Sequence, residues 1–322
     1  MKEVDFKIIA NQSDITAKIR DRLLRLTLSD AAGIENDTAE IELDNRDQAI
    51  TPPPTGAELN IYIGYVGELV FKGTYTVDEI SEPLETDTLT ISAQAAQMKR
   101  SFKAPRDESY DNITLGELAQ QVGGRHGYDV QVEPSLAGIQ FPHLDQRAES
   151  DSNMLTRLAR ENGAMFKVAA NKLLLVPKQK GKTASGKDLP TIEITDPEHS
   201  TGTVTVQDRE DYQSVVAYWF DETAQEKQTE RAGSGEPEFV IRKTHTDQAS
   251  AQQAASAKLG ELQRGKAQLN ITRPLNPLIV AEGFLKVSQH KKNANGRWLV
   301  ENVSHTIEPG SVAQTTAKGA VA

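Results

Sequence analysis

The chain has 322 residues, enough for two or three domains that each bury a core. Charged residues make up 25% and hydrophobic ones 37%, the balance of a water-soluble chain, and the net charge of -10 argues against a sequence-independent grip on nucleic acid or on anionic membranes. The lack of any cysteine excludes disulfides, thiolate metal sites and cysteine nucleophiles.

No apolar run approaches the ~18 residues needed to span a bilayer. The opening MKEVDFKIIANQS has no signal-peptide apolar core and carries acids early. The composition therefore predicts a protein made and kept in a cytoplasm-like compartment, or one leaving it by a route other than secretion.

The first hundred residues read as strands. Asp5–Ala10 meets a polar turn at Asn11-Gln12-Ser13, and Asp14–Ile19 continues the pattern. Leu24, Leu26 and Leu28 alternate with Arg25 and Thr27; Ala39, Ile41 and Leu43 alternate with Glu40, Glu42 and Asp44. Leu59, Ile61 and Ile63 precede Gly64, and Thr74–Ile80 and Thr88–Ala93 follow. About six or seven strands at regular spacing favour a small barrel or sandwich. The run Thr51-Pro52-Pro53-Pro54-Thr55-Gly56 is a stiff exposed connection.

From Ser101 the period changes. Lys99, Arg100, Lys103 and Arg106 form a small basic cluster, readable as a nucleic-acid patch or, more plainly, as a solvated linker. Thr114-Leu115-Gly116-Glu117 is a capping box, with Leu115, Leu118, Ala119 and Val122 as the apolar stripe and Gly123-Gly124 as the stop. Tyr128–Val132 reads as a strand. Ser150 caps a second helix whose stripe is Met154, Leu155, Leu158 and Ala159, and Gly163 supplies its left-handed end. Ala164–Val168 and Lys172–Val176 then form a hairpin.

Beyond Pro190 the strands return at Thr191–Thr195, Gly202–Val206, Val215–Phe220, Phe239–Lys243, Ala267–Thr272, Phe284–Ser288, Trp298–Ile307 and Ser311–Ala317. One helix interrupts them, capped by Asp247, striped by Ala251, Ala254, Ala255, Leu259 and Leu262, and ended by Gly265. Gly73-Thr74-Tyr75-Thr76-Val77-Asp78-Glu79-Ile80-Ser81 aligns without gaps with Gly296-Arg297-Trp298-Leu299-Val300-Glu301-Asn302-Val303-Ser304. Either one barrel has been duplicated, or two common glycine-to-valine strand starts coincide.

Little of the sequence carries chemistry. Gly181-Lys182-Thr183-Ala184-Ser185-Gly186-Lys187-Asp188 nearly matches a phosphate loop, but Asp188 would repel phosphate and Pro190 with Thr191–Thr195 leaves no room for the required helix. The six histidines, His126, His143, His199, His245, His290 and His305, lack metal-ligand spacing. No glycine-serine-glycine elbow anchors a serine hydrolase. Glu40 with Glu42, and Asp78 with Glu79, are conceivable glycosidase carboxylates, though on alternating strands they read as solvated acids. Trp219, beside Tyr218 and Phe220, and Trp298 read as core or interface aromatics rather than a sugar platform. No catalytic, cofactor-binding or metal-binding residue is assigned.

Several motifs together resemble the phage late control gene D family. They are Asp14-Ile15-Thr16 with Arg22-Leu23 and Leu26, Asp37 to Arg46, Pro54 to Leu59 with Ile63-Gly64, and Gly73 to Glu79. Thr114 to Glu117, Asp145-Gln146, Glu149 to Asp151 and Leu155 to Arg160 continue the match. Ala217-Tyr218-Trp219, Leu262 to Gly265, Trp298 to Glu301 and Ser304-His305-Thr306 complete it over nearly the whole length.

The resemblance implies a baseplate hub of a contractile phage tail or tail-like particle, similar to the hub part of type VI secretion spike proteins. It implies two tube-like antiparallel β-barrels flanking a small α+β domain, at 1–104, 191–322 (with one helix) and 105–190 respectively. It further implies a homotrimeric pseudo-sixfold ring that joins the tail tube protein to the trimeric spike protein and meets other baseplate and tape-measure proteins. DNA would pass without specific binding and without membrane insertion. The protein would be a non-enzymatic virion component assembled in the host bacterial cytoplasm. A carbohydrate-acting tail enzyme or an adhesion module using surface carboxylates is the alternative.

Overall fold

Alternation of apolar side chains decides most of the first region. The computed structural model describes every position except 1, 33–36, 96–99, 170, 178–188, 207–211, 222, 246, 265, 312 and 322. In spatial order the strands are Leu23–Ala31, Thr38–Asp44, Thr88–Gln94, Glu68–Ser81, Glu58–Tyr65, Val4–Ala10 and Ser13–Asp14, each antiparallel to the next. Successive side chains point to opposite faces. One face therefore buries Leu26, Leu28, Ile41, Leu43, Leu59, Ile61, Ile63, Val77, Leu89 and Ile91, none more than 3% exposed.

One expected strand is a helix instead. After Ser13–Asp14 the chain turns into the helix Thr16–Ile19 and the 3-10 turn Arg20–Arg22. Asp14 Oδ1 accepts from the Thr16 N–H at 2.9 Å, and Thr16 Oγ1 accepts from the Ile8 N–H at 2.9 Å. These side chains capture backbone donors that a continuing strand would have used.

Among the described residues the two tube-like barrels expected from the resemblance do not close. Strands of both β-regions share one open sheet of 13 strands. The cause lies in strand length. Gly296–Ile307 is 12 residues long, whereas its partner Phe284–Val287 has four and covers only Gly296 to Leu299. Its remaining backbone groups need partners, and Asn302 to Ile307 find them antiparallel on Leu23–Ala31. The sheet continues through Gln314–Val321 and Ala267–Pro274 to Thr201–Val206, while Thr191–Ile194 lies parallel to Phe284–Val287.

By contact the chain forms two compact units: 1–97 with 190–203 and 269–319, and 98–189 with 204–268 and 320–322. The last β-region thus contributes to both.

The second unit is α+β. Thr114 closes the expected capping box on the helix Leu115–His126, accepting from the Glu117 N–H at 3.2 Å while Glu117 Oε2 accepts from the Thr114 N–H at 2.9 Å. The expected stop at Gly123-Gly124 does not occur, and the helix runs on to His126 and ends at the left-handed Gly127. Gly123 serves close packing instead, since a Cβ there would lie 2.1 Å from Val130 Cγ2.

Ser150 caps Asp151–Glu161, whose Met154, Leu155, Leu158 and Ala159 are buried as the spacing requires. Asn162 and the left-handed Gly163 follow, and the chain returns as the hairpin Ala164–Ala169 and Lys172–Pro177, with Asp129–Val132 parallel to the latter. Three strands were not expected. The ribbon of Pro105–Thr114 and Gln140–Ser150 is mostly polar and buries one apolar pair, Tyr110 opposite Leu144. Glu226–Gly233 pairs with Ser214–Asp221, which also pairs with Glu238–His245. On this last sheet the helix Gln248–Arg264 buries Ala251 and Ala255 against Val215, Ala217 and Ala232. The Ser250 N–H donates to Asp247 Oδ1 at 2.8 Å, the cap read from the sequence.

Candidate functional site

The residues weighed for chemistry scatter. Glu40 is exposed and Glu42 half-buried on the polar face of Thr38–Asp44, the latter 3.7 Å from Arg25. Asp78 and Glu79 are exposed on Glu68–Ser81. Residues 181–188 lie outside the described residues, as does Lys99 of the basic cluster. Trp298 is 3% exposed and donates its indole N–H to the Ala294 carbonyl at 2.8 Å, a core residue. Exposed His143 lies between Asp111 (2.6 Å) and Asp145 (3.1 Å), whose hydrogen bonding and charge raise its pKa. Among the described residues no group of three or more His, Cys, Asp or Glu side chains could hold a metal ion. No helix among them is long and apolar enough to cross a membrane.

The structure does bring together one constellation that sequence reasoning missed. Asp151, 0% exposed at the start of its helix, lies 2.7 Å from His126 Nε2. It also accepts from Gln146 Nε2 at 2.9 Å and Arg125 Nη1 at 3.1 Å. Arg125 Nη2 in turn reaches both oxygens of Glu108, at 2.7 and 2.9 Å. His126 Nδ1 is 3.0 Å from Ser101 Oγ. Burial works against the Asp151 charge, but hydrogen bonds from His126, Gln146 and Arg125 outweigh it and hold the carboxyl below its usual range.

Serine, histidine and aspartate in a row are the parts of an acyl-transfer triad, yet the arrangement does not serve that use. A triad needs a carboxylate devoted to the histidine and an imidazole facing the nucleophile through Nε2. Here Nε2 faces the carboxylate, and Asp151 is also engaged by Arg125 and Gln146. The cluster instead ties the ribbon of Pro105–Thr114 and Gln140–Ser150 to the helices Leu115–His126 and Asp151–Glu161. A buried hydrogen-bonded network of this kind fixes geometry.

The first unit holds a second polar interior. His305, 1% exposed, lies 2.9 Å from Thr315 Oγ1 and 3.2 Å from the Ile279 carbonyl oxygen. Burial, with Lys72 nearby, pushes its pKa down to about 3, so the ring is neutral in the folded protein. Lys72 donates to the Pro277 carbonyl at 3.0 Å, and burial lowers its pKa as well. Asp30 accepts from the Ala281 N–H at 2.8 Å. These contacts tie the loop 275–281 to the first β-region. They position backbone rather than present a reactive group.

What remains available for function is surface: strand edges, an apolar cavity of about 500 Å³ walled by Ile15, Ile19, Ile41, Leu43 and Ile50, and exposed apolar side chains such as Phe71 and Leu84. The fold is one shared with proteins of phage tails. A 43 kDa tail protein of a Shewanella oneidensis prophage superposes with a TM-score of 0.71 at 14% identity, over 99% of this chain and 98% of that one. An E. coli component of the type VI secretion system gives 0.56 at 12% identity, over 92% of this chain and 73% of that one.

The chain belongs to the phage tail baseplate hub (GPD) family, whose family model matches residues 25–311. The probable baseplate hub protein of Escherichia phage P2 is 32% identical over 346 residues, covering 94% of this chain and 89% of the relative. The molecule is thus a baseplate hub protein of a phage tail, a component of the virion.

Proposed function

We propose that three copies of this chain form a ring between the tail tube and a trimeric spike, and that the ring presents six similar β-surfaces upward and threefold symmetry below. The observation that carries this is a matching pair of glycines in the first unit, Gly73 within Glu68–Ser81 and Gly296 at the head of Gly296–Ile307, which hold φ at +145° and +144° and are followed by the same pattern of residues. A chain with two such elements meets a sixfold partner and a threefold partner at once. Each contact between unlike halves is heterologous and closes if the rotation per subunit allows. Pairing strand edges across that contact hides edges that invite aggregation.

The net charge of -10 suits a conduit, since a wall that repels phosphate does not hold passing DNA. The ring meets the other baseplate proteins and the tape-measure protein, and it is assembled in the host cytoplasm before the virion is complete. The protein is non-enzymatic in this reading. Sedimentation of the purified chain across a concentration series, with and without its spike, should give a trimer. Degradation of peptidoglycan lost on Glu40→Gln/Glu42→Gln would favour the tail-enzyme alternative instead.

A further inference from the structure

We propose that the turn at 82–87 of one copy seats Leu84 in a groove beside Glu238–His245 of a second copy. The inference rests on the ring proposed above and supplies one of its contacts.

The turn is built as an acidic anchor. It links Glu68–Ser81 to Thr88–Gln94, all six of its residues are exposed, and Leu84 is 99% exposed at its tip. Glu82, Glu85 and Asp87 flank the leucine, and no Lys, Arg or His occurs from Gly73 to Met98. Single exposed leucines are ordinary on protein surfaces. One wholly exposed between acids, with a matching groove on the same chain, asks for a partner.

The groove has the complementary character. It has a volume of about 530 Å³, and Phe239, Val240, Ile241, Ala254 and Ala257 supply apolar surface. Val240 is 42% exposed there. Its rim carries Arg160, Arg242, Lys243 and Lys258 against Glu161 and Glu261. Lys243 pairs with Glu161 at 3.0 Å and Lys258 with Glu261 at 3.0 Å. Both rim acids are thereby neutralised, and among the described residues no ion pair engages Arg160 or Arg242. One side of the groove is Glu238–His245, an edge strand whose sheet partner lies on its other side. Apolar burial supplies the anchor and the uncompensated arginines select the acidic flanks. Duplex DNA does not fit this description, because the floor is apolar. A second copy does, since each chain carries both halves of the contact and a head-to-tail contact closes a ring.

The absence of cysteine makes the test direct. Leu84→Cys and Val240→Cys are introduced in separate full-length chains, mixed at a concentration where native mass measurement shows oligomers, and oxidised with oxidised glutathione. A covalent dimer should appear in the mixture well above its level in either variant alone, and adding Arg160→Glu and Arg242→Glu to the Val240→Cys chain should abolish it. Oligomers without the mixed dimer overturn this contact and leave the ring standing, as does an equal yield from Leu84→Cys alone. A chain that stays monomeric at every concentration and with its spike overturns the ring, and this contact with it.

Discussion

Gly73 and Gly296 share a backbone torsion that side chains rarely adopt, φ +145° and +144°, and each stands two residues ahead of a buried aromatic, Tyr75 and Trp298. Two residues further, Val77 and Val300 are 0% and 1% exposed. The sequence echo therefore recurs in φ and in burial, although Gly73 lies inside Glu68–Ser81 and Gly296 heads its strand.

Replacing either glycine tests this. A Cβ at Gly296 would meet nothing within 4 Å and one at Gly73 only the Tyr75 ring at 3.5 Å, so the cost is backbone strain rather than collision. Gly73→Ala and Gly296→Ala should each destabilise the first unit by about 1–3 kcal/mol, measured by urea unfolding. Wild-type stability for either would separate the two copies.

Leu158→Asp should place an unpaired carboxylate at a site 1% exposed, costing several kcal/mol. Limited proteolysis should then cut within 98–189 while fragments of the first unit persist. Unchanged protease resistance of that region would refute the packing of the helix Asp151–Glu161 on its hairpin.

Removing Asp151 should be more damaging than removing its distal partner. Asp151→Ala strands Arg125 and His126 inside the α+β part and should cost about 3–5 kcal/mol, whereas Ser101→Ala, at an exposed hydroxyl, should stay within about 0.5 kcal/mol. Because the folded carboxyl titrates below its ordinary 3.8, its contribution is full above that value and fades as pH falls further. Comparable losses from the two variants in thermal melts would contradict the dominance of the salt-bridged aspartate in the cluster.

His305 predicts a different window. The unfolded ring takes up a proton near 6.5 and the folded ring only near 3, so between those values the unfolded state binds more protons. Stability from this group is full above pH 6.5 and falls on acidification by up to about 1.4 kcal/mol per pH unit. His305→Gln should flatten the unfolding free energy between pH 6.5 and 4. A slope identical to wild type would place the pH dependence elsewhere.

Strands and helices with one buried face were legible in the sequence, because alternation or a stripe records that face directly: Leu59 to Ile63 and Met154 to Ala159 are examples. Pro105–Thr114 left no such record, since Tyr110 is its one buried apolar side chain and the strand is held by its partner strand and by the Arg125–Glu108 pair. Sheet partnership across long separations was equally invisible. Nothing local to Asn302–Ile307 announces that it completes its pairing on Leu23–Ala31 rather than closing a barrel of its own. The Asp151 cluster draws on Ser101, Glu108, Arg125, His126 and Gln146, whose spacing matches no motif. Its sequence traces were separate: His126 among histidines without metal-ligand spacing, and Gln146 and Asp151 within two short motifs.

The hub assignment is tested most directly by electron microscopy of the purified full-length chain mixed with its spike. The ring reading predicts a threefold particle with six similar β-densities around a lumen wide enough for duplex DNA. Only monomers beside free spike, or a ring whose upper face lacks the sixfold repeat, would contradict it.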